Sequence, residues 1–265
     1  MGPVEDFVMK IATWNVNSIR ARKERLLAWL ERHQPDALCL QETKVVDDDF
    51  PIEDIEAAGY QAAFYGQKSY NGVAILARDE IADVVCGFDD DDPEDDARRV
   101  IAGTVNGVRV VSVYVPNGKD VGTDAYQYKL DWLARLRRYF DARCKTDEKV
   151  ALCGDFNVAP DDRDVYDPER LTGSILCSEP ERIRLRELVE WGFEDAYRQH
   201  HEEGGLYSWW DYRRLGFPKN RGLRIDHIYV SGSMAKVCTD SVIDREERKG
   251  KQPSDHAPVW ADFDL

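Results

Sequence analysis

Short apolar runs alternate with amphipathic stretches from one end of the chain to the other. The apolar runs are brief, rich in β-branched residues and bounded by turn-forming residues, a pattern that predicts strands. The predicted strands are Lys10–Val16, Ala37–Leu40, Val73–Ala77, Val108–Val115, Val150–Cys153, Ile225–Val230 and Pro258–Phe263.

Three other stretches repeat apolar residues every three or four positions, which predicts helices. They are Arg22–Arg32, Asp124–Arg143 and Glu179–Trp191. In the second helix the expected buried face consists of Tyr126, Leu130, Leu133, Leu136 and Phe140. Before the third, Ser178 and Glu181 have the spacing of a capping box. The mixture of elements predicts an α/β layered domain.

Composition narrows the class of protein. The 265 residues are 43% hydrophobic, enough to bury a sizeable core, and no repeat or long linker divides them. No apolar run is long enough for a membrane span, and residues 1–8 do not resemble a signal peptide. None of the six cysteines forms a C-x-x-C pair, so we expect buried free thiols rather than a zinc site. A soluble protein of the cytoplasm is the resulting expectation.

The formal net charge of −15 argues against a protein with a uniformly basic surface. The charge is nevertheless uneven. An acidic run occupies residues 89–96, whereas basic residues gather at Arg20–Arg25, Arg182–Arg186 and Arg213–Arg224. Because the binding of nucleic-acid phosphates requires local positive charge, these basic patches are the candidate contacts. We expect the acidic run to be exposed or mobile.

Acidic, amide or histidine side chains stand at the ends of five predicted strands. The segments are Asn15 to Asn17, Gln41-Glu42, Gly154-Asp155-Phe156-Asn157, Asp226-His227 and Ser254-Asp255-His256. Loops at the ends of a rigid sheet commonly hold catalytic groups, so we expect these five segments to converge. Each alone has a simpler interpretation, since a lone Asn or Asp is usually a turn residue. The motifs Gln41–Lys44, Gly154–Asn157 and Ser254–Pro258 in this order are improbable by chance.

Carboxylate and amide oxygens without cysteine suit a hard cation such as Mg²⁺ or Mn²⁺. Glu42 and Asp255, with Asn15 nearby, are the candidate ligands from the residue types alone. Histidine and aspartate in addition suggest general acid/base chemistry. Together these groups predict metal-assisted phosphoryl transfer.

The motifs in their order resemble the exonuclease III and abasic-site endonuclease branch of the endonuclease/exonuclease/phosphatase superfamily. The matching segments are Trp14–Asn17, Gln41–Lys44, Tyr70–Ala74, Arg98–Val100, Tyr114–Gly118, Gly154–Asn157, Trp209–Arg213, Arg221–Asp226 and Pro253–Val259. The resemblance covers Met9 to Leu265, so residues 9–265 are interpreted as one catalytic domain and residues 1–8 as an extension.

The resemblance implies a four-layer α/β sandwich, in which two packed β-sheets are flanked by helices. It also implies a Mg²⁺-dependent hydrolase in which Mn²⁺ can substitute. The implied metal-site residues are Asn15, Glu42, Asp155, Asn157, Asp255 and His256, with Glu42 as the main ligand. The implied catalytic residues are Tyr114, Asp155, Asn157, Asp226 and His256, with His256 oriented by Asp226. The sequence does not separate the roles of Asp155 and His256 as base, acid or electrostatic stabiliser.

The implied substrate is double-stranded DNA with abasic sites or blocked 3′ ends, cut 5′ to the abasic site by a monomeric prokaryotic repair enzyme with 3′–5′ exonuclease and 3′-phosphatase activity. The implied DNA-binding residues are Asn17, Lys44, Arg99, Asn117, Trp209, Arg213, Arg221, Leu223 and Ile225. Two features depart from the family pattern. Residues 176–182 lack the usual Leu-Pro sequence, and Leu223 stands where many members carry Trp. Both leave the balance of activities open.

Three other functions are weighed against this one. A superfamily enzyme acting on sphingolipid, inositol phosphate or RNA tails is disfavoured by the segments Trp209–Tyr212 and Arg221–Arg224. A non-catalytic binding protein would be expected to lose Glu42, Asp155 or His256, and all three are present. A hydrolase using Ser254 is weaker still, because adjacent residues of an extended segment point in different directions and cannot form a triad among themselves.

Overall fold

A computed structural model describes residues 8–90 and 97–265. In chain order, its strands are β1 (Val8–Asn15), β2 (Ala37–Gln41), β3 (Gln61–Tyr65), β4 (Val73–Ala77), β5 (Ala82–Cys86), β6 (Val100–Val105), β7 (Val108–Tyr114), β8 (Val150–Asp155), β9 (Phe193–Asp195), β10 (Asp226–Ser231), β11 (Cys238–Ile243) and β12 (Val259–Asp264). Its helices are α1 (Ile19–His33), α2 (Ile52–Ala57), α3 (Asp124–Arg143), α4 (Pro168–Leu171), α5 (Glu179–Val189) and α6 (Gly232–Ala235).

The strands form two six-stranded sheets. Sheet one has the order β11-β12-β1-β2-β4-β3, and sheet two has the order β5-β6-β7-β8-β10-β9. Each sheet contains one parallel pair, β1 with β2 and β7 with β8, among antiparallel neighbours. Both parallel pairs lie near the middle of their sheets, where strands are covered on both faces.

Alternation along the strands builds the layers. In β1, Ile11 faces the core between the two sheets, whereas Trp14 packs toward α1. In β7, Val110 faces the same inter-sheet core, whereas Val111 packs against α3 and α5. Because successive side chains of a strand point to opposite faces, each central strand serves two apolar layers. The predicted four-layer sandwich is confirmed.

The predicted helices are confirmed, with corrected ends. Helix α1 begins at Ile19 rather than Arg22, because the Ser18 hydroxyl caps it by accepting from the Ala21 N–H. Helix α5 ends at Val189 rather than Trp191. The capping box is present, since Glu181 accepts from the Ser178 N–H at 3.0 Å. Within the described ranges, no helix combines the length and apolar character that a bilayer span requires.

The expected buried face of α3 needs a correction. Leu130 is only partly buried, and the neighbouring Lys129 occupies the fully buried position. A lysine is accepted there because its ammonium has polar partners, described below. The expectation of buried free thiols also needs a correction. All six cysteines are free thiols, but only Cys39, Cys153 and Cys177 are buried.

Two segments singled out in the sequence fall partly outside the described ranges. The expected extension at residues 1–8 lies outside them except for Val8, which pairs with Asp264 as the first residue of β1. Most of the acidic run, residues 91–96, also lies outside them. Its first two residues are described: Asp89 forms an ion pair with Arg143, and Asp90 with Arg135, on the outer face of α3.

Candidate active site

Three site residues form one row across sheet two. Tyr114 at the end of β7 is paired with Asp155 at the end of β8, and Asp155 is paired with Asp226 at the start of β10. Gly154 permits this arrangement, because a Cβ at that position would lie 2.0 Å from the Val113 carbonyl oxygen. The backbone ladder therefore places the three side chains together.

Asn15 joins the two sheets at the site. It is fully buried at the end of β1, and its Nδ2 donates to Glu42 Oε1 at 2.8 Å and to Asp155 Oδ2 at 2.9 Å. Glu42 comes directly after β2 in a left-handed conformation with φ 52°. Its other oxygen forms an ion pair with Lys44 Nζ at 2.6 Å. A single amide thus orients two carboxylates from different sheets.

Glu42, Asp155 and His256 converge closely enough to hold a metal ion. One ligand atom from each lies within 4.8 Å of the other two. Two carboxylates and an adjoining amide are the donors that hard divalent cations prefer. The chemistry of the donor set therefore fits a hard divalent cation.

His256 is held by Asp226. The His256 Nδ1 lies 2.9 Å from Asp226 Oδ2 and 3.1 Å from Oδ1, and both residues are buried. Burial by itself lowers the pKa of His256, but the carboxylates of Asp226 and Asp155 outweigh it and raise that pKa to about 10. The imidazole is therefore a cation at neutral pH in this arrangement, with its proton-bearing ring oriented by a carboxylate.

Asp155 is a buried carboxyl group among other acids. Its burial raises its pKa to about 7, against the opposing effect of His256, which lies 3.7 Å away through Nε2 and Oδ2. A group whose pKa lies near neutrality can exchange a proton during a reaction. The carboxylate of Asp155 is also fixed, because its Oδ1 accepts from the Asn157 N–H at 2.9 Å.

Asn157 and Asn117 form a pair of amides beside Asp155. The Asn117 Nδ2 donates to Asn157 Oδ1 at 3.1 Å, and the Asn157 Nδ2 donates to the Val115 carbonyl at 3.0 Å. Asn157 is buried with φ 49°, whereas Asn117 is exposed. The exposed amide is the one positioned to meet a ligand.

Tyr114 and Arg99 are stacked. The guanidinium of Arg99 lies 4.7 Å from the centroid of the Tyr114 ring and donates to the Tyr114 carbonyl at 3.1 Å. Burial, with Glu42 and Asp155 nearby, raises the pKa of Tyr114 well above its usual range. The phenol therefore stays protonated and acts as a hydrogen-bond donor toward Glu42.

Asp255 belongs to an adjoining chain of hydrogen bonds. Its Oδ1 accepts from Asn17 Nδ2 at 2.9 Å, and its Oδ2 accepts from Trp209 Nε1 at 3.0 Å. Asn17 in turn accepts from Lys44 Nζ at 2.6 Å. Burial raises the pKa of Asp255, but His256 and these donors outweigh it and leave the pKa lowered. Asp255 therefore lies beside the three converging groups, with both oxygens already hydrogen-bonded.

A cavity of about 830 Å³ opens beside this site. Its walls include Leu176, Cys177, Trp209 and Leu223. Trp209 separates the cavity from His256, since it is bridged to His256 on one side and to Leu223 on the other. Ile225 is buried in the apolar cluster behind Leu223, so it supports the wall of the cavity.

Arginines stand at the mouth of the cavity. Arg213, Arg214 and Arg221 line it, and the Arg213 side chain is 84% exposed. Arg213 is also paired with Asp211, with Nη2 and Oδ2 2.9 Å apart. The structure therefore places the predicted basic residues Arg213 and Arg221 beside Trp209 and Leu223.

Sequence reasoning missed several supporting residues. Ser254, weighed above as a nucleophile, instead donates its hydroxyl to the Asn15 carbonyl at 2.7 Å and accepts from the His256 N–H. Lys129 and Glu181 form a buried ion pair behind Asn157. The available signal was a lysine within the apolar stripe of α3.

Comparison with known proteins agrees with this geometry. Residues 12–256 match the Endonuclease/Exonuclease/phosphatase family. The chain therefore belongs to the endonuclease/exonuclease/phosphatase family. It is 36% identical to exodeoxyribonuclease III of Haemophilus influenzae, over 96% of this chain and 100% of that protein.

Two solved structures are similar over 97% of this chain and 100% of their own. An AP endonuclease from Archaeoglobus fulgidus has 39% sequence identity and a TM-score of 0.93. A 3′ phosphatase from Neisseria, bound to a product DNA hairpin, has 45% identity and a TM-score of 0.92. The predicted enzyme class, a DNA-repair nuclease of the exodeoxyribonuclease III and AP-endonuclease type, is confirmed.

Proposed function

We propose that this protein is a Mg²⁺-dependent phosphodiesterase that incises double-stranded DNA 5′ to abasic sites and also processes blocked 3′ ends. The observation that carries the proposal is the convergence of Glu42, Asp155 and His256 next to a cavity walled by Trp209 and Leu223. Residues 9–265 then act as one catalytic domain, in a monomeric enzyme of the prokaryotic cytoplasm.

In this proposal the carboxylates of Glu42 and Asp155 hold the metal, with Asn15, Asn157 and Asp255 around them. The protonated His256 lies beside the metal. When bound, Mg²⁺ supplies electrostatic stabilisation of charge on the phosphate. The protein's side chains supply the other interactions with the phosphate. Asn117, Tyr114 and the His256 imidazolium donate hydrogen bonds or charge toward the scissile phosphate, while Asp155 can take or return a proton. Asp226 keeps the His256 ring in place.

The cavity supports selection of abasic sites. An abasic nucleotide lacks stacking and pairing, so it is extruded from the helix at less than the few kcal/mol that an intact base requires. An apolar wall made by Trp209 and Leu223 accepts a bare deoxyribose, and Ile225 supports it from behind. Arg213, Arg221, Lys44 and Arg99 contact the flanking DNA in this proposal.

The decisive assay compares three matched duplexes with and without Mg²⁺. One carries an abasic site, one a 3′-phosphate and one a plain recessed end. We expect Mg²⁺-dependent cleavage of the first two, with Mn²⁺ substituting. If cleavage persists after removal of divalent cations with a chelator, metal dependence is wrong. If none of the duplexes is cut under any metal condition, the proposed function is wrong.

Trp209 tests selectivity separately. We expect Trp209→Ala to lower cleavage at abasic sites and to reduce the preference for abasic over intact nucleotides, because the wide aromatic wall of the cavity is lost. The measurement is the ratio of initial rates on duplexes that differ only in the missing base. An unchanged ratio in a folded variant would place selectivity elsewhere, in DNA bending or in residues 176–182.

A further inference from the structure

Lys129 is a cation in a fully buried position. Its side chain on α3 has no exposed surface. The Nζ donates to the Asn157 carbonyl at 2.6 Å and to the Asn117 carbonyl at 3.2 Å, and it contacts the Glu181 carboxylate, also fully buried. An ammonium has three donors, so all of them are satisfied.

The two carbonyls belong to the residues that carry the amides of the site. Lys129 therefore fixes the backbone of Asn117 and of Asn157 by hydrogen bonds. Asn157 is the one of the two in a left-handed conformation. Gly118 makes room for the lysine stem, because a Cβ there would lie 3.0 Å from Lys129 Cδ. The Asn157 N–H donates to the Asp155 carboxylate, so Lys129 is connected to Asp155 through the backbone of Asn157.

Glu181 reaches the opposite way, toward the wall of the cavity. Its carboxylate accepts from the Leu176 N–H at 3.1 Å, from the Ser178 N–H at 3.0 Å and from the Ser178 hydroxyl at 2.5 Å. Leu176 lines the cavity with φ 70°. The ion pair thus connects the catalytic amides to the surface that faces the extruded nucleotide.

A buried ion pair contributes little net stability, because desolvation offsets the attraction and apolar replacements of similar volume are often as stable. Its value here is geometric. We propose that Lys129 and Glu181 are positioning residues that hold Asn117, Asn157 and the cavity wall in one fixed arrangement. The proposal rests on the proposed function, because the reaction they support is the hydrolysis assigned to this site.

The test is an apolar replacement of the pair, Lys129→Met with Glu181→Leu. A matched control replaces the ion pair Lys10–Asp262 between β1 and β12, whose Nζ and Oδ1 are 2.8 Å apart, by Lys10→Met with Asp262→Leu. The first variant should melt at a lower temperature, because buried groups such as the Asn157 carbonyl and the Leu176 N–H lose their hydrogen-bond partners. At a temperature where it is folded, we expect it to keep its KM on the abasic duplex but to lose about 10²-fold in kcat, the cost of a small misplacement. The control should keep its melting temperature, KM and kcat.

A second measurement needs no substrate. Amide hydrogen exchange at residues 155–159 and 174–178 should accelerate in the first variant but not in the control, while residues 150–153 stay protected in both. If wild type and control fail to cut DNA, the proposed function fails, and hydrogen exchange still tests the positioning role.

A folded variant with wild-type kcat and exchange would overturn the proposal. If the double variant does not fold, Lys129→Met alone is assayed in the same way, since Glu181 then keeps its hydrogen bonds to Leu176 and Ser178. Failure of both variants to fold would assign the pair to stability and would also overturn the positioning role.

Discussion

The two sheets hold their shares of the active site by different means. Sheet two supplies Tyr114, Asp155 and Asp226 from strand residues paired in register, so the backbone ladder fixes their spacing. Sheet one supplies Glu42 from the turn after β2 and His256 from the loop before β12. These two are held by side-chain hydrogen bonds, to Asn15 and Asp226. The site residues of sheet two are therefore fixed by backbone pairing, whereas those of sheet one depend on individual side-chain contacts.

This difference between the sheets predicts how far the effect of a substitution extends to neighbouring residues of the site. A substitution in the row of sheet two leaves the backbone ladder intact, because the ladder does not depend on the side chain, so its effect is confined to that side chain and its direct contacts. A substitution on the side of sheet one removes a group and also releases its neighbours. Three measurements separate these outcomes, and a fourth tests stability at acid pH.

The largest effect is expected for Asp155→Asn. The amide keeps the shape and the ladder but cannot exchange a proton, so the single-turnover rate on an abasic duplex should fall by about 10²–10⁴. The melting temperature should change little. A rate within tenfold of wild type, in a folded protein, would remove Asp155 from the proton-transfer step.

Glu42→Ala should be nearly as severe at low Mg²⁺ but partly reversible. Loss of a group that binds the metal should weaken its affinity by at least about 10–100-fold, the range seen when only an outer partner of a ligand is lost. Raising the Mg²⁺ concentration should therefore restore part of the rate. Asp155→Asn, titrated in parallel, should recover less of its rate, because added Mg²⁺ cannot replace the lost proton exchange. Full activity of Glu42→Ala at low Mg²⁺ would contradict its assignment as the main ligand.

The Asp226–His256 contact bridges the two halves, so its substitutions should not be independent. We expect His256→Ala to lose at least about 10²-fold in rate and Asp226→Asn to lose less. The double variant should lose scarcely more than His256→Ala alone, because Asp226 acts through the imidazole. Additive losses, measured as kcat/KM, would show that the two residues do not act as a unit.

A smaller effect concerns stability at acid pH and arises beside the row of sheet two. His227 is buried next to Asp226, with its Nδ1 3.0 Å from Arg224 Nη1 and its Nε2 3.2 Å from the Val158 carbonyl. Burial and the neighbouring guanidinium lower the pKa of His227 to about 4. The folded state binds a proton on His227 less readily than the unfolded state does. The contribution of neutral His227 to the free energy of unfolding is therefore present above about pH 6.5 and is lost as the pH falls toward 4.

Between those pH values, the lowered pKa of His227 corresponds to about 3 kcal/mol of unfolding free energy. In His227→Gln that part of the acid sensitivity should disappear, since glutamine is neutral throughout. Urea unfolding of both proteins at pH 7 and pH 4 makes the comparison. If the free energy of unfolding falls equally in wild type and variant between pH 7 and pH 4, other groups govern the acid response.

Much of the fold was predictable because its central strands are buried on both faces. Val73–Ala77 was predicted with its observed ends, since all five residues are buried and apolar. The strands that were missed carry weaker signals. β5 is a largely exposed edge strand, β9 has three residues, and β6 is interrupted by Gly103, where a Cβ would lie 2.5 Å from Ile81. Such strands are defined by their partners, which local sequence does not encode.

The convergence of residues from several strand ends was predictable, but the contacts among them were not. Motifs at strand ends indicated that Asn15, Glu42, Asp155 and His256 meet. The register that aligns Tyr114 with Asp155 depends on pairing between distant strands, and no local pattern reports it. The same holds for Lys129, whose burial is stabilised by Glu181 and by two carbonyls far away in the sequence.

The pairing of β1 with β12 has a consequence for how activity arises. Met9 lies opposite Phe263, so sheet one is completed only when segments from opposite ends of the sequence meet. Contacts of such wide separation form slowly during folding. His256 lies on the approach to β12, and Asn15 is the last residue of β1. A chain that has not closed this sheet therefore lacks both the organised metal site and the oriented imidazole. We therefore expect an incompletely folded chain to lack nuclease activity.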